Sequence, residues 1–242
     1  MKAKIPGVIL YRGPSRFDGS PVVVVATFKS ENGKTGDMVQ TWVLRARVHP
    51  ARAVRRGRDG SVCGTCRFRG GKGCYVQVGK APAAVWRGVK RGIYPVFDPS
   101  LHGPLFAGRA IRLGSYGDPA AVPPAAWREV LRLCTGGHTG YTHAWRGVGS
   151  DYLGLLQASC DNAGEAAVAH ARGWRSFTVL PDSLESLNGA ESLPGLGVLC
   201  VSESRGRSCL DCRLCSGSRA NVWIPAHGSS VSKARLSLAM VR

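Results

Sequence analysis

Apolar residues fall along this chain in short runs and alternations, broken at intervals by turn residues. Val8 to Tyr11 and Pro21 to Phe28 (PVVVVATF) are rich in β-branched and aromatic residues and read as strands, with Phe17-Asp18-Gly19-Ser20 as the turn between them. Glu31-Asn32-Gly33-Lys34 is a second turn, and Met38 to Leu44 alternates as a third strand. The opening is thus a small antiparallel β element. Ala81 to Gly92 reads as a helix, with a proline near its start, a glycine near its end and Val85, Trp86 and Val89 as its buried stripe. Tyr94 to Phe106 is rich in Pro, Asp, Gly and His and reads as a loop.

From Arg109 the pattern becomes strand, turn, helix, repeated. Arg109 to Leu113 is a strand, and Pro123 to Cys134 a helix with prolines at its start. Thr139 to Trp145 is a short strand and loop. Leu153 to Ser159 is a strand ending at Cys160-Asp161-Asn162, whose Asp or Asn caps the helix Ala163 to Arg172. Ser176 to Leu180, Gly197 to Val201 and Asn221 to Pro225 are further strands, followed by a helical tail. Strands alternating with helices imply right-handed crossovers and a parallel sheet. Polar residues collect just after the strands: Asp118, His143 with Arg146, Asp161 and Cys200. In parallel α/β folds that carboxyl edge is where ligands bind. No G-x-G-x-x-G follows a strand and no phosphate-loop motif occurs, so a partial or complete (β/α) barrel is preferred over a doubly wound sheet. Three regions are expected: 1–60, the β element and a basic connector; 61–200, the (β/α) core; and 201–242, a cysteine-rich C-terminal segment.

Cysteine spacing adds the chemistry. Cys63, Cys66 and Cys74 stand as C-x2-C-x7-C in a Gly- and Arg-rich loop; Cys200, Cys209, Cys212 and Cys215 stand as C-x8-C-x2-C-x2-C. Two residues between cysteines lets two thiolates from one turn reach one metal. Three cysteines in one loop suit an iron–sulfur cluster with one iron left open, or zinc with a further ligand from elsewhere. The second group is a complete four-thiolate set for zinc or a cluster. Cys134 and Cys160 stand alone and read as small buried hydrophobes. His143 in TGYTHAWR and His227 in IPAHG are the histidines best placed for function, and Asp118 the carboxylate. Nothing suggests a Ser-His-Asp arrangement or a glycosidase pair of carboxylates.

Charge points to the partner. With 33 Lys+Arg against 15 Asp+Glu the net charge is +18, which calls for counter-charges such as phosphates. Arg45 to Arg58 holds six arginines in fourteen residues, a phosphate clamp or a solvated connector. No apolar run of about 18 residues occurs, and the apolar run at Val8 to Leu10 is too short for a secretory signal, so a cytoplasmic protein with no membrane span is expected.

A cysteine loop ending Cys-Tyr, then a helix, then a strand ending GSYGDPAAVP resembles the radical S-adenosylmethionine proteins. More narrowly, SVCGTCRF, GCYV, RLGSYGDPAAVP, TGYTHAWR and IPAHG resemble a conserved phage and prophage protein family without an assigned activity, over most of the chain. The resemblance implies a partial (β/α) barrel with Cys63, Cys66 and Cys74 as cluster ligands. It further implies Gly117, Asp118 and Pro119 at the S-adenosylmethionine amine, and residence in the host cytoplasm. The radical family spaces its cysteines C-x3-C-x2-C and carries Glu where this chain has Asp118. Two readings follow. One is an iron–sulfur enzyme acting on nucleic acid or nucleotide, with Asp118 and His143 at the catalytic centre; the other is a zinc-stabilised, basic nucleic-acid-binding protein without turnover.

Overall fold

The structure, a computed structural model, describes residues 5–183, 185–228 and 230–240. The basic N-terminal start and the last two residues of the tail lie outside these. The chain forms two compact units, residues 1–64 with 77–138, and residues 65–76 with 139–242.

The first unit is built on β1 (Gly7–Pro14), β2 (Pro21–Thr27), β3 (Val39–Arg45) and β4 (Ile111–Tyr116), hydrogen-bonded in that order. β1, β2 and β3 are antiparallel, as the three opening runs predict, and β4 joins β3 in parallel. β2 sits between two strands and buries Val22 to Ala26 in succession, which explains an unbroken apolar run where a half-exposed strand would alternate. The outer edge of β1 is covered: Ile9 N–H donates to Pro95 O, and Phe97 N–H donates to Ile9 O. The arginine run is not all connector, because Pro50–Arg55 forms the short helix α1, with Pro50 at its first position and Ala53 buried. α2 (Gly60–Cys63) and α3 (Ala81–Lys90) follow, and α1 and α3 pack on each other and on β3. The Pro- and His-rich loop holds a single turn, α4 (Pro99–His102), capped by the Asp98 carboxylate. α5 (Pro124–Leu131) lies on β1 and buries Trp127, whose indole N–H donates to Pro119 O.

The second unit contains β5 (His138–Thr142), β6 (Gln157–Cys160), α6 (Ala163–Ala171), β7 (Ser176–Leu180), β8 (Ser192–Leu193) and β9 (Gly197–Leu199). Two single turns, α7 (Val201–Ser204) and α8 (Cys209–Cys212), lead to β10 (Val222–Pro225) and the tail helix α9 (Val231–Ala239). The strand order is β5-β6-β7-β10-β9-β8. All neighbours pair in parallel except β8 with β9, so the expected parallel sheet is present. β10 fills the place between β7 and β9, which sets the carboxyl ends of β6, β7, β10 and β9 side by side. The architecture is mixed α/β and its sheet is open, not closed into a ring. No helix among the described residues is long and apolar enough to cross a membrane.

Candidate functional site

The segment 65–76 lies against the carboxyl edge of the second unit's parallel sheet. Phe68 packs with Val179, Ala226, Val231, Ala234 and Leu238, tying the segment to β7, β10 and α9. Gly73 has φ +129, and a Cβ there would meet the Ala234 backbone at 2.7 Å, so only glycine lets the loop ride this close to α9. Ser237 Oγ on α9 donates to Lys72 O at 2.6 Å.

This docking sets Cys66 beside His143. The Cys66 Sγ lies 3.8 Å from His143 Nε2, which is also 3.1 Å from Ser159 Oγ and 4.0 Å from Asp161 Oδ1. Phe68 meets the imidazole edge-on, with ring centroids 5.9 Å apart. Arg67 Nε donates to Asp161 Oδ2 at 2.9 Å, across 94 residues of sequence. Asp161 is 7% exposed, and its Oδ1 has no hydrogen-bond partner among the described residues. The choice between Asp161 and Asn162 as helix cap is settled locally: Asn162 Oδ1 accepts from Glu165 N–H, while Glu165 Oε2 accepts from Asp161 N–H. This close relative of a capping box leaves the Asp161 carboxylate to Arg67 and His143. Arg146 pairs with Glu165 at 3.0 Å and stacks over Trp145, fixing the loop that carries His143. Sequence reasoning singled out Cys66 and His143 but passed over Ser159 and Arg67. The one signal for Ser159 was its place at the end of a strand.

The four C-terminal cysteines fall within residues 200–215, and Cys215 is buried. Burial pushes the Cys215 thiol up to about 12; a hydrogen bond from Tyr141 opposes this, and the charges of Cys200, Cys209 and Cys212 each raise it further. Four thiols are a donor set suited to zinc or an iron–sulfur cluster. Cys200 follows β9, its N–H held by Trp223 O. Cys209 and Cys212 lie on α8, whose first turn is capped by Ser208, and Gly140 N–H donates to Cys215 O. All nine cysteines are among the described residues and none is disulfide-bonded. No three described His, Cys, Asp or Glu side chains stand close enough to hold a metal as they are placed.

The remaining expected residues are distributed over both units. Cys63 ends α2 in the first unit, whereas Cys66 and Cys74 belong to the second. Asp118 follows β4, and its N–H donates to Val62 O at 2.6 Å, so Asp118 and Cys63 are neighbours within the first unit. Its Oδ1 accepts from Ala120 N–H at 2.9 Å, the turn-holding use of the carboxylate. Gly117 has φ +78, and a Cβ there would meet Val43 O at 2.7 Å; Pro119 is buried in the following turn. α2 is anchored by Ser61, whose hydroxyl donates to Asp18 at 2.6 Å. Burial raises the Asp18 pKa, but hydrogen bonds from Ser61 and Ser20 and the Arg45 charge outweigh it and leave the carboxyl below its ordinary value. His227 follows β10, exposed, with Nδ1 3.0 Å from Pro225 O. Cys134 and Cys160 are buried, and burial pushes each thiol up to about 12, as inert core cysteines.

The chain matches no family model, no curated protein and no solved structure.

Proposed function

We propose that this chain is an iron–sulfur protein built on a partial (β/α) barrel of the radical S-adenosylmethionine type, acting on nucleic acid or a nucleotide. The observation that carries the reading is the four-cysteine set of the second unit: Cys200 after β9, Cys209 and Cys212 on α8, and the buried Cys215 shortly after them.

In this reading Cys200, Cys209, Cys212 and Cys215 hold an auxiliary cluster, while Cys63, Cys66 and Cys74 are the ligands expected for the reactive one. Bound iron–sulfur supplies one-electron chemistry, and S-adenosylmethionine is the co-substrate that Gly117, Asp118 and Pro119 would receive. The chain's own residues do the rest. His143 holds or moves a proton at Nε2, with the Ser159 hydroxyl at 3.1 Å as its partner and Asp161 Oδ1 at 4.0 Å. Arg67 holds the Asp161 carboxylate in place.

A second reading, zinc sites that stabilise a nucleic-acid-binding protein without turnover, is favoured by one contact. Cys66 Sγ beside His143 Nε2 is a mixed sulfur and nitrogen pair of the kind zinc takes. Metal and sulfide content with a visible spectrum, on protein purified without oxygen, separates the two. About four irons and four sulfides per site with absorbance near 400 nm are expected; zinc without colour overturns the radical chemistry. Cys212→Ala should then lose the auxiliary cluster alone, and S-adenosylmethionine cleavage is the activity to assay.

A further inference from the structure

The strongest unassigned feature is the charge on the outer side of α1 and α3 in the first unit. Residues 38–64 and 77–97 carry ten Lys+Arg and one acid, Asp59. Asp59 is fully buried, while Arg47, Arg52, Arg55, Arg56, Arg58, Lys80, Arg87, Lys90 and Arg91 are exposed. None of these nine forms an ion pair among the described residues. Two helices packed on each other and on β3 make a fixed platform for them. Trp86 locks it: the indole N–H donates to Arg45 O at 3.0 Å, His49 meets the ring edge-on, and Lys90 lies over it at 5.4 Å.

We infer that this face binds the phosphodiester backbone of a nucleic-acid duplex without reading sequence. Uncompensated, helix-borne guanidinium groups suit a row of phosphates. Single strands are gripped by aromatic side chains on which bases stack. Trp86 is occupied by Arg45, His49 and Lys90, and the half-buried Trp42 of β3 is tied to Thr27 on β2, so neither tryptophan offers a free stacking platform. The inference deepens the nucleic-acid part of the proposed function but does not depend on any metal, so metal content and binding fail independently.

Fluorescence anisotropy with the full chain tests it, using a 20-base-pair DNA duplex, the matching RNA duplex, the single strand and anionic-lipid vesicles. About five phosphate contacts give log K a slope near −4.5 against log salt. The variant Arg52→Glu/Arg55→Glu/Arg87→Glu/Arg91→Glu should weaken duplex binding more than about 100-fold and flatten that slope towards zero. The Gln version of the same four positions, checked by circular dichroism, should lose roughly half as much in log K and guards against misfolding of the reversed variant. A control with equal charge change, Arg128→Glu/Arg132→Glu/Arg205→Glu/Arg207→Glu, should lose far less. DNA or RNA as the preferred duplex identifies the source of the backbone. Equal loss in the control, tighter binding to the single strand, binding to vesicles alone, or no binding overturns the inference.

Discussion

In the first unit β2 buries Val22, Val23, Val24, Val25 and Ala26, and β3 adds Val39, Val43 and Leu44. In the second unit β6 and β7 bury Gln157, Ser159, Ser176 and Thr178 just as deeply. Buried side-chain atoms without a hydrogen-bond partner among the described residues include Thr139 Oγ1, Gln157 Oε1, Asp161 Oδ1, Thr178 Oγ1 and Trp223 Nε1 in the second unit, and Arg45 Nε in the first. Each such group forfeits stability that an apolar side chain would have kept. One unit thus builds its central strand from apolar residues, and the other sets polar side chains in its buried strands. The first unit supplies the apolar scaffold; the second carries the grouping of Cys66, His143 and Asp161.

That contrast can be broken by mutation. The largest effect belongs to the scaffold: Trp127→Ala, at a fully buried ring, should cost about 4 kcal/mol in chemical denaturation without changing the metal bound per folded molecule. Next, Arg67→Ala leaves the Asp161 carboxylate buried without its partner and should cost about 3 kcal/mol. It should also change the titration of His143 by NMR, which a scaffold variant would not do; an unmoved His143 would dissolve the proposed pairing. Gly73→Ala strains the backbone and meets the Ala234 backbone, so a loss of about 2 kcal/mol is expected, with faster proteolysis of segment 65–76.

The smallest effect concerns pH. Cys134, Cys160 and Cys215 keep their protons up to about 12 in the folded chain, against an ordinary value of 9.0. A thiol raised in this way favours the folded state fully below about 9, and that stability drains as pH rises towards 12. Metal-free protein should therefore lose on the order of 1 kcal/mol between pH 8 and pH 9, and more above it. Cys160→Ala should make the thermal midpoint less sensitive to pH over that range; unchanged sensitivity would mean the thiol ionises as freely in the folded chain as in the unfolded one.

Much of this fold was legible in the sequence because it is written locally. β-branched runs and proline-led helices marked the strands and helices to within a few residues, and Cys134 and Cys160 read as core from their isolation. α1 was hidden because six arginines obscure the single buried Ala53 that the helix turns inward. Arg67 and Asp161 were hidden for a different reason: their pairing spans 94 residues, and no local pattern records it. The cysteine loop looked like one unit of spacing. In the structure Cys63 ends a helix of the first unit, and Cys66 and Cys74 belong to the second.

The strip that covers β1 has a consequence for how the protein is made. Ile9 is translated early, but the carbonyl of Pro95 and the amide of Phe97 that complete its edge come some 86 residues later. At about 5–20 residues per second, the nascent β1 hairpin waits on the order of ten seconds with a bare strand edge beside its valine-rich partner. Slowed translation between these points should raise the yield of insoluble chains, and a chaperone that shields extended segments should rescue it.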